Sequence, residues 1–288
     1  MKTNQQSGNQ KQEGIRFSVL MSVYAGEEAQ FFDAALQSIH RQSVQADEVV
    51  LVVDGPLTPQ LEQVLSEWKG RLGDNLRIVR LVENRGLAAA LNEGLAVCRN
   101  EWVARMDTDD VCLPDRLATQ AAYLQKNPEV DVLGSLAITI NREGKEGHLL
   151  KVPVTRERIR KLIWACPLIH PSVCFKRSKI LAVGGYNPGA GPRQDDYDLW
   201  YRCAAAGYVM HNLPQALILF RFTEKNIRRN TLKVGYYRLK TGIRGNRALR
   251  SGVVSYVGVM IPFLRALLPY PANVWMYKML RWLNPRTY

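Results

Sequence analysis

Between residues 15 and 112 the chain alternates short, mainly apolar runs with longer segments in which apolar side chains recur at every third or fourth position. The short runs predict strands, and the longer segments predict amphipathic helices. The run at 48–53 is nearly continuous and β-branched, as a strand covered on both faces would be. The predicted strands cover residues 17–24, 48–53, 76–82 and 102–106. Because a predicted helix follows each of the first three strands, the order predicts an α/β fold with a mostly parallel sheet flanked by helices.

The next part of the chain continues this alternation less regularly. Apolar spacing predicts a helix over 113–127, a strand over 130–140 and a helical stripe between Ile159 and Cys166. A short strand is expected over 172–175. The chain is therefore expected to form a nucleotide-binding half (15–112) and a second half (113–224).

Polar side chains follow each of the first four predicted strands at the point where the strand ends. They lie at 24–27, 54–55, 84–86 and 107–110. Taken singly, each group is typical of a turn, a helix cap or a solvated loop. Because ligands bind beyond the carboxyl ends of parallel strands, their joint placement predicts one cleft lined by four strand ends.

The sequence Asp-Thr-Asp-Asp at 107–110 crowds three carboxylates after the fourth predicted strand. Carboxylates this close repel one another unless a cation lies between them. Asp107 and Asp109 are two residues apart, so both can be directed at one hard divalent cation. A calcium loop of the EF-hand type is excluded, because Val111 and Cys112 stand where it needs an oxygen ligand and a glycine. The pattern favours Mn²⁺ or Mg²⁺, whose open coordination positions suit the phosphates of a nucleotide diphosphate.

Composition indicates a globular protein, because 47% of its 288 residues are apolar. The five cysteines form no CxxC pair and are expected to be buried free thiols. Residues 1–14 are polar and are expected to form a disordered tail without a secretory signal. We therefore expect a cytoplasmic protein.

Charge is distributed very unevenly along the chain. Residues 1–224 hold 26 Lys and Arg against 26 Asp and Glu, whereas residues 225–288 hold 13 Lys and Arg and no acid. The whole net charge of +13 therefore lies in the C-terminal region, 225–288. A basic surface of this kind attracts anionic lipid or nucleic acid.

An apolar segment inside the C-terminal region favours the membrane over nucleic acid as the partner. Residues 252–270 carry one charge, Arg265, and Pro262 and Pro269 are expected to break any helix there. Because an internal Arg and two prolines argue against a straight span, we expect an amphipathic helical tail lying in the membrane interface. A true span is the alternative. The aromatic residues expected at headgroup level are Tyr256, Tyr270, Trp275, Tyr277 and Trp282.

Six motifs occur in an order that resembles the family 2 glycosyltransferases, inverting enzymes with a GT-A fold that build bacterial surface polysaccharides. They read SVYAGE, VVDGP, NRGLAAALNEGL, ARMDTDDVCLPDRL, HPSVCFKRSKILAVGGYN and DDYDLWYRCAAAG. The resemblance covers roughly residues 15 to 230 and is closest to transferases of exopolysaccharide and O-antigen assembly. It implies a GT-A fold and a nucleotide-sugar donor.

The resemblance implies roles for residues on the donor side. Tyr24 and Asp54 are implied to hold the nucleotide base, typically uracil, although a core aromatic and a turn residue are the alternatives. Glu27 lies in the same predicted turn as Tyr24, and Arg85 is a further candidate for the diphosphate. These four are the candidate donor-binding residues of the first three strand ends.

Within Asp-Thr-Asp-Asp, Asp107 is implied to lie near the ribose or sugar and Asp109 to bind the metal, with Asp107 as a second candidate ligand. Asp110 is a possible substitute ligand or a helix cap. The resemblance leaves the assignment among the three open.

Downstream, Arg221, Arg228 and Arg229 match a closing segment of the family that approaches the donor diphosphate. Ordinary surface basic residues are the alternative for all three. Their predicted role therefore depends on the resemblance alone.

On the acceptor side, the resemblance implies that Asp196 is the general base. Asp195 replaces the usual Glu of the family and is expected to cap the following helix. Trp200 in the same motif and His170 are candidates on the acceptor side, and His170 has the alternative of a buried, hydrogen-bonded residue.

Together these features predict an inverting glycosyltransferase with an Asp base and a divalent metal. It is expected to move a hexose or N-acetylhexosamine from a UDP-sugar to a lipid-linked or other glycan acceptor, at the inner face of the cell membrane. A nucleotidyltransferase is an alternative, although such enzymes usually carry a Gly-rich basic loop after the first strand, which SVYAGEEAQ lacks. A non-catalytic membrane-surface adaptor is another, but it would not need the acids around Asp196.

Overall fold

The computed structural model describes residues 14–223, 231–269, 272 and 275–276. Its first part contains strands β1 (Phe17–Val23), β2 (Glu48–Val53), β3 (Leu76–Arg80) and β4 (Trp102–Arg105). The helices that connect them are α1 (Ala29–His40), α2 (Pro59–Leu72) and α3 (Leu87–Val97). The predicted strand-helix alternation is therefore confirmed in this part.

The second part is more irregular. Its strands are β5 (Val111–Cys112), β6 (Val132–Ile140), β7 (Glu146–Leu150), β8 (Cys174–Lys176) and β9 (Met210–Arg221). Its helices are α4 (Arg116–Lys126), α5 (Arg156–Lys161), α6 (Arg177–Ala182) and α7 (Asp195–Ala205). Two further helices, α8 (Leu232–Ala248) and α9 (Val253–Ala266), follow the sheet.

All described strands belong to one sheet with the order β3-β2-β1-β4-β8-β6-β9-β5, and β7 pairs with β6. The pairs β3-β2, β2-β1 and β1-β4 are parallel, whereas β8 is antiparallel to both β4 and β6. An apolar core covers each face of the sheet. The parallel part therefore brings the ends of β1 to β4 to one edge, as predicted.

The described cysteines are all buried and free, as predicted. Burial raises the pKa of the Cys98, Cys174 and Cys203 thiols to about 12. These thiols therefore remain protonated and inert near neutral pH.

The predicted helical stripe between Ile159 and Cys166 is interrupted in the structure. Helix α5 ends at Lys161, a short 3-10 turn follows at Ile163–Ala165, and Cys166 adopts a left-handed conformation with φ 57°. Because Pro167 disfavours the right-handed helical region at Cys166, a helix cannot continue to the end of the predicted stripe. The very short β5 and the exposed β7 were also not predicted, since neither carries a clear apolar alternation.

The expectation that Pro262 breaks the helix is wrong, because α9 continues through it. Packing explains this continuity. Gly258, four residues before the proline, lies against the Trp164 ring, and Gly235 of α8 lies against Phe263 of α9. These contacts outweigh the one backbone hydrogen bond that proline removes. Among the described helices, none has the length and apolarity that a membrane crossing requires.

Two helical glycines differ sharply in their surroundings and provide a test of the packing. A Cβ on Gly94 of α3 would lie 2.3 Å from Leu20 Cδ1 and 2.8 Å from Val52 Cγ2, whereas a Cβ on Gly70 of α2 would have nothing within 4 Å. Gly94→Ala is expected to lower the free energy of unfolding by about 1 kcal/mol, because overpacking exceeds the gain in helix propensity. Gly70→Ala is expected to raise it by about 0.5–1 kcal/mol.

Urea unfolding of both variants measures the difference. The two midpoints should move in opposite directions relative to the parent. A Gly94→Ala midpoint at or above that of Gly70→Ala would contradict the tight packing of α3 on the sheet.

Candidate active site

The loops after β2 and β3 are held together by the Asp54 carboxylate. Its Oδ1 accepts the backbone N–H of Arg85 at 2.7 Å and its Oδ2 accepts that of Gly86 at 3.0 Å. Asp54 is buried, and the backbone of Gly55 lies directly against Asn84. Asp54 therefore shapes the rim of the predicted cleft, and its predicted contact with a nucleotide base stays a prediction.

The loop after β1 is a tight turn that presents an aromatic ring to solvent. The backbone N–H of Glu27 donates to the Tyr24 carbonyl at 3.1 Å, and the Tyr24 ring, 37% exposed, lies over Gly26. Glycine is needed there because a Cβ would lie 2.4 Å from that ring. An exposed ring held in this way offers a stacking surface, as the prediction for Tyr24 requires, and Glu27 lies beside it.

The Arg85 side chain forms an ion pair with Glu93 of α3 at 2.9 Å. Both side chains are substantially exposed, so the pair is weak and readily exchanged. Its predicted contact with a diphosphate stays a prediction.

The acids after β4 form the candidate metal site. One carboxylate oxygen from each of Asp107, Asp109 and Asp110 lies within 4.8 Å of the others. Asp110 is buried: its Oδ1 accepts the backbone N–H of Arg221 at 2.7 Å, and its Oδ2 has no hydrogen-bond partner among the described residues. Asp110 therefore does not cap a helix, which was one of its predicted alternatives.

Crowding changes the acidity of these groups. Burial, followed by the charge of Asp107, raises the pKa of Asp109 to about 6. Burial and the charge of Asp109 raise the pKa of Asp110 well above its ordinary value. A divalent cation would relieve this repulsion, and a set of carboxylate oxygens fits Mg²⁺ or Mn²⁺.

Arg221, at the end of β9, holds the acidic loop in place. Its Nε donates to the Asp109 carbonyl at 2.8 Å and its Nη1 donates to the Asn141 carbonyl at 2.8 Å. The guanidinium lies 3.9 Å from the centre of the Phe31 ring. These contacts show Arg221 as a positioning residue for the loop. Its predicted contact with the diphosphate stays a prediction, and Arg228 and Arg229 lie outside the described residues.

The sequence analysis missed Arg105, the last residue of β4. This arginine is buried and forms an ion pair with Asp107, while its Nε and Nη1 have no hydrogen-bond partner within the described part of the chain. Burial opposes its charge, but Asp107 raises the pKa of the guanidinium overall. The available signal was an arginine at the end of an apolar strand and directly before three acids.

His170, a predicted acceptor-side residue, forms a hydrogen bond with a buried tyrosine. Its Nε2 is 2.9 Å from the Tyr186 hydroxyl, and Asn92 holds Tyr186 through two hydrogen bonds of 2.8 Å to its backbone. Burial and the nearby Arg105 charge keep the pKa of His170 well below its ordinary value, so its imidazole is neutral. Trp200 is fully buried and packs edge-on against His170, so it supports the site from behind without facing an acceptor.

Helix α7 begins at the predicted catalytic acids. The N-cap residue is Gln194, whose side chain makes no capping hydrogen bond, and Asp195 is the first residue of the helix, so the expectation that Asp195 is the cap is wrong. Asp195 and Asp196 occupy the first turn, where the helix dipole favours negative charge. Burial, followed by the charge of Asp196, raises the pKa of Asp195 to about 6.

Asp196 has one strong and one weak hydrogen-bond donor. Its Oδ1 accepts the backbone N–H of Tyr197 at 2.8 Å, and its Oδ2 lies 3.5 Å from the Cys166 thiol sulfur. Burial raises the pKa of Asp196, and the positive charge of Arg238 opposes this rise most strongly. Because a thiol is a weak donor, Oδ2 is the oxygen better placed to accept a proton.

Helix α8 packs directly on α7. The Arg238 guanidinium lies 4.4 Å from the centre of the Tyr197 ring, and the Tyr201 hydroxyl donates to Asn246 at 2.8 Å. Arg244 forms an ion pair with the buried Asp198. The helix expected only to bind membrane therefore also supports the helix that carries Asp196.

Arg105 links the two acidic groups. Its charge lowers the pKa of Asp109 and Asp110 in the loop after β4, and it also lowers the pKa of Asp195 and Asp196 at the start of α7. Geometry links the same elements, because the backbone N–H of Arg105 donates to the Val173 carbonyl at 2.9 Å and His170, three residues earlier, packs on Trp200 of α7. The candidate metal site and the candidate base therefore both respond to the charge of Arg105.

Comparisons with known proteins identify the family. Residues 18–182 match the family described as Glycosyl transferase family 2. The amylovoran biosynthesis glycosyltransferase AmsE of Erwinia amylovora is 34% identical over 91% of this chain and 98% of its own. An Escherichia coli UDP-Gal:α-D-GlcNAc-diphosphoundecaprenol β-1,3-galactosyltransferase is 32% identical over 91% of this chain and 95% of its own.

A solved structure has the same fold. The mannosyltransferase PcManGT of Pyrobaculum calidifontis, in complex with GDP-Man and Mn²⁺, aligns with a TM-score of 0.61 and 19% identity over 92% of this chain and 75% of its own. The predicted GT-A fold is thereby confirmed. With the family match spanning the parallel strands and the acidic loop, the chain belongs to glycosyl transferase family 2.

Proposed function

We propose that this glycosyltransferase moves a sugar from a UDP-sugar to a lipid-linked glycan acceptor in bacterial surface polysaccharide synthesis. The observation that carries the proposal is the cluster of Asp107, Asp109 and Asp110 beside the buried Arg105, whose charge also acts on the predicted base Asp196. The names of the two relatives, an amylovoran transferase and a galactosyltransferase acting on a diphosphoundecaprenol-linked sugar, support the acceptor class. The second name also supports a uridine donor.

On the donor side, the Tyr24 ring and the loop ordered by Asp54 are proposed to receive the base. Asp109 and Asp107 are proposed to hold Mn²⁺ or Mg²⁺, with Asp110 ordering the loop beneath them through Arg221. The buried, unpartnered Oδ2 of Asp110 and the oxygen-only donor set fit a hard divalent cation. When bound, such a cation offsets negative charge that develops on the departing diphosphate.

On the acceptor side, Asp196 is proposed as the general base of an inverting displacement. An acceptor hydroxyl oxygen forms a bond to the anomeric carbon as the bond from that carbon to the diphosphate oxygen breaks. The hydroxyl proton passes to Asp196 Oδ2, and the nucleoside diphosphate leaves. Neutral His170 and Asp195 are proposed to orient the acceptor sugar through hydrogen bonds.

The proposed acceptor also indicates where in the cell the enzyme acts. A lipid-linked acceptor and a nucleotide donor are both available at the inner face of the cell membrane, and we propose that the enzyme works there. Neither alternative from the sequence analysis has support in the site. The turn at 24–27 is not the glycine-rich basic loop of a nucleotidyltransferase, and an adaptor would not need the buried charges around Arg105.

A screen of nucleotide sugars with Mn²⁺ tests the activity as a whole. The purified protein should hydrolyse or transfer sugar from a uridine nucleotide in preference to a guanosine nucleotide. Transfer from guanosine nucleotides alone would contradict the proposed donor.

Asp196→Asn tests the base. We expect kcat to fall by about 10²- to 10⁴-fold, because general-base assistance has that magnitude. The dissociation constant for UDP, measured by calorimetry, should stay close to that of the parent. Asp74→Asn, at an exposed acid remote from α7 in sequence, is the control. Unchanged transfer by Asp196→Asn would remove Asp196 from the mechanism.

The raised pKa of Asp109 predicts a pH-dependent effect of metal. Its folded pKa of about 6 exceeds the ordinary 3.8, so the metal-free protein loses stability as pH rises between these values. Bound Mn²⁺ should raise Tm by a few degrees at about pH 7.5, and this rise should shrink towards about pH 5 as protonation displaces the metal.

Asp109→Asn should remove most of the Mn²⁺-dependent rise in Tm, whereas Asp74→Asn should keep it. Differential scanning calorimetry with and without MnCl₂ gives both values. A rise that is equally large in Asp109→Asn would show that the metal binds elsewhere.

Arg238 is predicted to set the acidic limb of the pH profile. Its charge lowers the pKa of Asp196, so Arg238→Met should raise that pKa and move the acidic limb of kcat to higher pH. Arg247→Met, at an exposed position of the same helix, should leave the limb where it is. A limb that does not move in Arg238→Met, or that moves equally in both variants, would contradict the electrostatic link.

A further inference from the structure

Helix α9 and the turn after it present a continuous apolar stripe to solvent. Its members recur at every third or fourth position and are all exposed: Val254, Val257, Ile261, Leu264 and Leu268. An apolar stripe of this length is unusual on the surface of a protein and marks an interaction surface.

The opposite face of α9 is fixed to the rest of the molecule. Val259 is buried and packs closely on Gly242 of α8. A Cβ added to Gly242 would lie 2.6 Å from Val259 Cγ1. Gly258 lies against the Trp164 ring in the same way. Packing on α8 and on Trp164 therefore fixes α9, so the stripe faces solvent in one orientation.

The charge around the stripe selects its partner. Residues 231–269, as described in the structure, contain no acidic side chain. The exposed basic side chains on and after α8 are Lys233, Lys240, Arg244, Arg247 and Arg250. A second copy of the chain would carry the same positive charge and be repelled, whereas anionic lipid headgroups would be attracted.

The length of α9 decides how it would meet a bilayer. It has 14 residues, which at about 1.5 Å per residue gives roughly 21 Å, shorter than the hydrocarbon core of about 30 Å. The length therefore excludes a crossing of the bilayer, and the exposed apolar stripe is the part of α9 that would enter the membrane interface.

We propose that the stripe on α9 and the basic side chains of α8 form a docking surface for an anionic lipid bilayer. The inference rests on the proposed function, because a lipid-linked acceptor gives the docking its purpose. The structure also attaches this surface to α7, the helix that carries Asp196. Tyr237 of α8 lies against Gly191 in the loop before α7, and Arg244 reaches Asp198 within α7.

The attachment has a direct consequence for catalysis. With α9 in the interface, the contacts of α8 hold the first turn of α7, and with it Asp196, at a set distance from the lipid surface. An acceptor sugar that projects from the bilayer then meets the base without the protein having to extract the lipid.

Vesicle cosedimentation of the full chain tests the docking surface. The parent should bind vesicles of phosphatidylcholine with phosphatidylglycerol, bind phosphatidylcholine alone much more weakly, and lose binding as NaCl is added. The double variant Val257→Glu with Leu264→Glu should bind the anionic vesicles at least about tenfold more weakly, because it places two acids on the apolar stripe.

Val82→Glu is the matched control, since Val82 is 95% exposed and lies in the loop after β3, away from α9. It should bind vesicles like the parent, and thermal melts should show that both variants fold. Equal vesicle binding by the double variant and the parent would overturn the proposal. So would light scattering that finds a dimeric parent and a monomeric double variant, because a second copy would then cover the stripe.

Vesicle binding and UDP binding, measured separately, distinguish failure of the docking surface from failure of the proposed function. Vesicle binding requires no donor or acceptor, and UDP binding by calorimetry requires no lipid. A protein that binds vesicles but no uridine nucleotide would contradict the proposed function alone, and the reverse result would contradict the docking surface alone.

Discussion

The arrangement of the candidate site depends on the charge of the buried Arg105. This residue ends β4 with its guanidinium removed from water, and burying such a charge is costly unless a carboxylate pairs with it. Asp107 pairs with it directly, and the acids of the loop after β4 and of α7 feel its charge. The charge of Arg105 therefore acts on two groups of acids, in the loop after β4 and at the start of α7, that are almost ninety residues apart in sequence.

The two groups of acids are positioned by different kinds of structure. The proposed donor side consists of loops at the ends of parallel strands, and Asp54 and Arg221 hold these loops through hydrogen bonds to their backbone. The proposed acceptor side is the first turn of a helix whose buried Trp200 packs against His170. Loops can adapt to a ligand, whereas a helix start packed on a core keeps a carboxylate in a fixed position.

The apolar runs in the sequence predicted the parallel strands, most clearly β2, whose nearly continuous apolar run is buried on both faces. The same reasoning placed Asp107 and Asp109 at a strand end, since adjacent parallel strands end at one edge. It could not predict the role of Arg105, whose partners come partly from a distant helix. It also failed at Cys166, where the following proline overrides apolar spacing, and at Pro262, where tertiary packing carries a helix through a proline.

The close approach of α8 to α7 has a consequence for how this architecture can change. The glycines Gly242 and Gly245 let the backbone of α8 touch Tyr197 and Tyr201, so a side chain at either position would force the two helices apart. A C-terminal segment that carries α8 could therefore be exchanged between relatives only together with an α7 whose surface fits it. The proposed docking surface and the proposed base are then inherited together, as one evolutionary module, even though the family match ends before either helix begins.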